Sequence, residues 1–476
     1  MIAAESGVRR DSALPALRRD ADGRRQIDMR AVTALALPLI LNSTLQAVLN
    51  LTDTWFIGRL STIATAAISA VHWLALLAIF LIGGVAMGVQ TLVAQAYGAG
   101  RYRRTSQMVW TGLWASMLTI PAFALTIAIA PQMFRAFGLP AEVESLALEY
   151  WGPRMIGGPL AAALWAAVAY FNGIGRTRIP LAVGLIVLSV NVVLNELLIF
   201  RLGYGIAGSA WATTLAELVG VAVAVTMILR LEPARFQARL TWRPNARRII
   251  VLVALGLPMA MTASADIGAA ALFQLMQVRF GIVDGAATQI VTIFTALAYM
   301  PGIGLALAGT TLVGQAIGAG DRDWAERLGN RIIAVVACFM GGMGLLIALV
   351  GDWLVPLFVN AADPRAAEVI ALCSSLLWFA AAYQFFDGVN FASAFCLRGA
   401  GDAHVPALIV LGCALFLFLP LTHLLTFAPG QGWIATAPGY GLGAVGGWSA
   451  ILVYVVAIGS ALWLRWKNGA WRRIRL

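Results

Sequence analysis

Thr91–Gly100 reads TLVAQAYGAG and Thr311–Gly320 reads TLVGQAIGAG, the same residue at eight of ten places and 220 positions apart. Unrelated segments do not agree so closely, so the chain reads as two copies of one unit. Other pairs keep the spacing. Pro38 in ALPLILN and Pro258 in GLPMAMT are again 220 apart, and each proline removes a backbone hydrogen bond in the first span of its half and can kink it. The turns FNGIGRTRIP (Phe171–Pro180) and LRGAGDAHVP (Leu397–Pro406) place Gly175 and Gly401 226 apart. A duplicated hydrophobic chain is a recurring architecture of membrane transporters.

The residues around these repeats are apolar. Hydrophobic residues make up 61% of the 476 and charged residues only 12%, against about 25% charged in soluble domains. Mean hydropathy is +0.84. Apolar runs fall near 31–57, 62–96, 107–131, 147–171, 179–200, 206–230, 248–279, 283–317, 325–350, 367–396, 405–427 and 440–464. Each is long enough to cross a hydrocarbon core of about 30 Å. The expected fold is therefore an all-α polytopic membrane protein with 12 transmembrane helices in two pseudo-symmetric six-helix lobes. Its parts are a tail at 1–30, an N-lobe at 31–230, a basic linker at 231–247, a C-lobe at 248–464 and a tail at 465–476. The 48 glycines suit close helix packing.

Positive charge sets the orientation. Of the 33 lysines and arginines, only Arg59, Arg135, Arg154, Arg201, Arg279 and Arg365 fall on the side opposite the termini. By the positive-inside rule both termini are cytoplasmic. Six spans is an even number, so both halves enter from the same side and their symmetry axis runs along the membrane normal. The net charge of +11 calls for an anionic leaflet and for no nucleic acid. Cys338, Cys373, Cys396 and Cys413 lack metal-ligand spacing and read as small core residues. The first thirty residues have no apolar signal-peptide region.

Acids inside apolar spans are costly, by about 2.5–3.5 kcal/mol each on insertion scales, and call for an explanation. Asp53 lies near the end of span one, before Phe56 and Ile57 continue the apolar run. Asp266 lies at mid-depth in span seven and Asp387 in span ten. Tyr383, Gln384 and Asn390 stand at i−4, i−3 and i+3 from Asp387 and are expected on its face, making a candidate cation or proton site. Asn191 and Asn195 in span five face one way, Glu196 points elsewhere, and Thr213 and Glu217 lie in span six. Oxygen ligands of this kind bind Na⁺, and a carboxylate in an apolar wall can instead carry a proton.

These residues and motifs resemble the multidrug and toxic compound extrusion (MATE) family, and within it look most like the DinF-like branch. The resemblance covers nearly all of 31–466. It rests on Pro38 with Asp53, on VAQAYGAG and VGQAIGAG, on NVVLNELLIFRLGYGIAGSAWATTLAE, and on YQFFDGVNFASAFCLRGAGD. It implies two six-helix lobes around a central cavity, and efflux of small amphipathic, cationic organic substrates across a bacterial inner membrane by antiport with H⁺ or Na⁺. It implies no cofactor beyond that coupling ion, and a monomer as the working unit. It implies an N-lobe coupling site at Asp53, Asn191, Asn195 and Thr213, with Asn195 where relatives often have aspartate. From the NorM-type branch it implies a C-lobe site at Asp266, Tyr383 and Asp387, with aspartate in place of the usual glutamate in span seven. Gln384, Asn390 and Glu217 are auxiliary candidates, Na⁺ is a candidate metal at both sites, and Pro38 is the kink of span one. The alternative is a lipid-linked oligosaccharide flippase of the same superfamily, which would often have more spans and an arginine-rich cavity. No metal cluster, nucleophile motif or phosphate loop points to an enzyme.

Overall fold

Twelve helices in the computed structural model are long and apolar enough to cross a membrane. It describes residues 14–60, 62–136, 141–359, 364–434 and 436–474. The N-lobe holds α1 (Met29–Gly58) and α2, which runs from Thr62–Gly83 through a 3₁₀ turn into Gly88–Gly98. It continues with α3 (Tyr102–Leu118 and Ile120–Ala136), α4 (Ala141–Gly173), α5 (Arg178–Asn195) and α6 (Gly205–Arg230). The C-lobe holds α7 (Ala246–Phe280), α8 (Ile282–Gly318), α9 (Arg322–Leu354), α10 (Ala366–Ala400), α11 (His404–Cys413 and Leu419–Thr426) and α12 (Gly443–Lys467). The fifth span of each half carries a π-helical segment, Glu196–Arg201 and Ala414–Phe418. Such wide turns locally rotate the side chains that follow.

Capping residues fix where several helices begin. Asp28 accepts hydrogen bonds from the backbone of Arg30 and Ala31, Asn245 from Arg248, and Asp321 from Trp324. Caps of this kind contribute about 1 kcal/mol each. The decapeptides end at Gly100 and Gly320, which adopt φ of +70° and +86°. Only glycine takes that conformation without strain, and it turns the chain sharply out of each helix.

The described parts of the tails, 14–30 and 465–474, and the linker are packed against the lobes. Leu17–Arg19 and Arg25–Ile27 pair as an antiparallel hairpin. Arg25 bridges to Asp321 at 2.7 Å, and the Trp324 indole donates to the Pro15 carbonyl at 3.0 Å. At the other end Trp471 stacks on Trp466, with ring centroids 4.6 Å apart and planes 7° from parallel. The linker lies along α3, where Trp110 and Trp114 donate to the carbonyls of Ala238 and Trp242. Its Phe236 is buried, with Tyr102 and Tyr170 edge-on to its ring.

The two lobes meet through the repeated sequences. Thr91 donates to the Arg398 carbonyl at 2.9 Å and Gln95 to that of Gly399 at 3.0 Å. Their counterparts Thr311 and Gln315 donate to the carbonyls of Asn172 and Gly173, at 3.0 and 2.8 Å. Gln90 adds a bond to the Thr311 hydroxyl at 3.0 Å. A Cβ on Gly98 would lie 2.6 Å from the carbonyl carbon of Gln315, and one on Gly318 2.8 Å from that of Gln95. Small residues let the backbones approach this closely. The same exchange recurs deeper in the membrane. Gly84 of α2 meets Ala260 of α7, and Gly304 of α8 meets Ile40 of α1. Among the described residues, every hydrogen bond joining the two lobes lies on the side where the termini lie.

Candidate functional site

Two polar clusters sit inside the spans, one in each lobe. In the N-lobe, α1, α5 and α6 converge on Asp53. Asn195 donates to one carboxylate oxygen at 2.7 Å and Thr213 to the other at 3.0 Å. Asn191, one turn before Asn195, donates to the Thr213 hydroxyl at 3.2 Å and accepts from the Asn195 amide at 3.0 Å. The i, i+4 spacing of the two asparagines on α5 places both on the face toward α1 and α6. Asn191 and Asn195 are fully buried. The four sequence-derived N-lobe residues therefore form one connected network. Glu196, beside them in the chain, is exposed and takes no part.

Glu217 extends this network by a route the sequence did not indicate. It lies one turn after Thr213 on α6 and receives both its contacts from Arg154, whose Nη1 stands 3.3 and 3.4 Å from its two oxygens. The loop count had assigned Arg154 to the side opposite the termini. The structure corrects that placement: Arg154 lies well inside α4, and the side chains of the pair are only 13% and 11% exposed. An unpaired arginine at that depth would carry a large desolvation cost, and the carboxylate supplies its partner. Asp53 and Tyr150 lie within electrostatic reach of the same guanidinium.

In the C-lobe, Asp387 accepts from the Tyr383 hydroxyl and from the Asn390 amide, both at 3.1 Å. All three lie on α10, so a single helix face presents the cluster. Asp387 is buried. Asp266 on α7 lies within electrostatic reach of Asp387 and Arg398, and Tyr299 of α8 within reach of the same three groups. Tyr299 was not singled out from the sequence, and its only sequence signal is a phenol inside an apolar span.

Gln384 departs from expectation. It is buried but turned from Asp387, and its amide donates to the Thr295 carbonyl of α8 at 2.8 Å. Its Cβ also fills the space beside Gly344 of α9. It holds α10 against its neighbours and lends no polar atom to the carboxylate. Pro38 is buried at the α1–α8 contact, where Ala36 and Leu39 pack on Ala308. It interrupts the hydrogen-bond ladder between the terminal end of α1 and Asp53.

Both clusters offer carboxylate, amide and hydroxyl oxygens in apolar surroundings. Such sets suit a hard monovalent cation or a proton.

Comparison with known proteins bears on the whole chain. The MatE family model matches residues 38–197 and 258–424, one block in each lobe. A protein of Rhizobium meliloti (strain 1021), described as a probable multidrug resistance protein NorM, is 30% identical over 454 residues, 92% of both chains. One from Burkholderia pseudomallei (strain K96243) with the same description is 30% identical over 385 residues, 79% of this chain and 81% of its own. A crystal structure of MATE in the bent conformation superposes with a TM-score of 0.80 at 19% identity, over 94% of this chain and 96% of that one. These relatives carry the NorM name, whereas the resemblance of the motifs led to an expectation of the DinF-like branch.

Proposed function

Because the chain belongs to the multidrug and toxic compound extrusion (MATE) family, a family of transporters and not of enzymes, we propose that it exports small amphipathic organic cations by antiport with H⁺ or Na⁺. The observation that carries this reading is the pairing of two features. Each lobe places an acid within its spans, half-buried Asp53 held by Asn195 and Thr213 in one and buried Asp387 held by Tyr383 and Asn390 in the other. Among the described residues, the hydrogen bonds between the lobes gather on the terminal side. A carrier that alternates access needs both an ion-sensitive element and a closure that can be exchanged for another.

The mechanism follows from differential binding. With the terminal-side contacts made, the substrate leaves toward the other side and the coupling ion enters from there. The ion binds at Asp53 or at the Asp387 cluster. Neutralising that carboxylate changes its attraction for the Asn195 and Thr213 donors, or for Tyr383 and Asn390. It also removes the charge that holds a cationic substrate. Coupling then requires only that ion and substrate prefer different states. Residues 1–30 and 465–476 lie in the cytoplasm, the membrane is the bacterial inner membrane, and one chain holds a complete pathway. The bias of arginine toward the terminal side supports this orientation.

The test is ethidium accumulation in cells lacking their major efflux pumps. Expression of the chain lowers accumulation, and collapsing one of the Na⁺ and H⁺ gradients restores it. Efflux that survives loss of both gradients removes the antiport reading.

A further inference from the structure

The Arg154–Glu217 pair has no assigned role, yet it stands one helical turn from a ligand of Asp53. Thr213 and Glu217 are at i and i+4 on α6, and Thr213 donates to Asp53. Arg154 reaches Glu217 from α4, across the N-lobe. Asp53 and Glu217 both figure among the charges the guanidinium feels, and His72 of α2 lies within its electrostatic reach. The N-lobe interior thus holds two acids and one arginine, and as an ion pair Arg154 and Glu217 contribute no net charge. Among the described residues, the two oxygens of Asp53 accept from neutral donors only.

Resting on the antiport reading, we propose that Arg154 is a positioning residue of the N-lobe site. Its pairing with Glu217 withdraws both from ion binding and leaves Asp53 as the single uncompensated charge, matched to one monovalent cation. The pairing also keeps the guanidinium off Asp53. Arg154 is a cation within electrostatic reach of that carboxylate, and it is covalently tethered. If Glu217 no longer held it, a buried guanidinium would have one remaining acid to satisfy it, and it would compete with the coupling ion.

This has a kinetic signature that a purely structural ion pair lacks. A tethered competitor raises the ion concentration needed for half-maximal transport, and it leaves the maximal rate in place. The experiment measures ethidium transport in proteoliposomes as a function of Na⁺ concentration and, separately, of pH. It compares the wild-type chain, Glu217→Gln, and the double variant Arg154→Met/Glu217→Gln, with melting temperature measured for each. Glu217→Gln is expected to raise the half-saturating ion concentration at least tenfold. The double variant, with no free guanidinium, is expected to return it to within about twofold of wild type, with a Hill coefficient of one.

Wild-type half-saturation in folded Glu217→Gln overturns the proposal. So does a double variant that folds and still needs tenfold more ion, and this second comparison decides the matter even where the single variant fails to fold. If neither protein variant folds, Glu217→Asp, which keeps the pair, replaces them: it must preserve the wild-type half-saturation, and a tenfold rise overturns the proposal. Absence of any ion dependence in the wild-type chain is a different result. It removes the antiport reading, and the inference falls with it.

Discussion

Replacing Gly98 by alanine strikes the contact that ties the lobes together. The new Cβ would stand 2.6 Å from the carbonyl carbon of Gln315, whereas carbon atoms in contact settle at about 3.5–4.0 Å. The helices must therefore part by about 1 Å at this point. The Gln95 and Gln315 bonds to the opposite lobe measure 3.0 and 2.8 Å, so the same displacement carries both to or beyond the limit of a useful hydrogen bond. At about 1 kcal/mol net for each, the closed terminal side loses about 2 kcal/mol. With a factor of ten for every 1.4 kcal/mol, this is about a 30-fold shift in the balance between closed and open forms. Spin labels at Arg103 and Arg322 report it, because both are exposed at the terminal ends of opposite lobes. The four native cysteines are free and are replaced first. Double electron–electron resonance should show one distance distribution in the parent and a second, longer population in Gly98→Ala. Gly318→Ala should do the same, by symmetry. An unchanged distribution in both variants refutes the claim that these contacts hold the terminal side shut.

Two further outcomes follow from single side chains. Trp466 is fully buried, stacks on Trp471 and donates to Asn330 at 3.1 Å, so Trp466→Ala should cost about 3–5 kcal/mol, read as a lower melting temperature in detergent with ion dependence unchanged. Tyr383→Phe removes one of the two donors to Asp387 and should shift ion half-saturation several-fold if the C-lobe couples, while lowering the melting temperature by only a few degrees, the scale of one part-buried hydrogen bond.

The architecture was legible because its signals are local or periodic. Twelve apolar runs correspond to twelve spans, and the 220-residue spacing reappears in space as paired contacts such as Gly84 with Ala260 and Gly304 with Ile40. What the decapeptides touch was not legible. Each repeat bonds the opposite lobe, at residues 304 and 307 positions away for Gln95 and Thr91, and no pattern within one segment encodes such a partner. The i, i+4 pair Tyr383–Asp387 was readable from helix geometry. Gln384 was not, because its position at i−3 lies near the edge of that face and the Thr295 carbonyl of α8 offered it a better partner. Arg154 was misplaced for a similar reason. Counting charges by loops treats an arginine as a surface group until the acid that accompanies it, here Glu217 on another helix, is known. The Asp53 cluster was approached through family resemblance, since three separate helices supply its groups.

The central claim is that a carboxylate buried in one lobe couples an ion gradient to export. It is tested most directly with purified protein in liposomes, by imposing a Na⁺ gradient or a pH gradient alone and following ethidium movement in the wild-type chain, Asp53→Asn and Asp387→Asn. The account predicts that one gradient drives transport in the wild-type chain and that at least one variant transports ethidium only down its own gradient, at a rate indifferent to the ion. Gradient-driven transport at wild-type rates by both variants would contradict it.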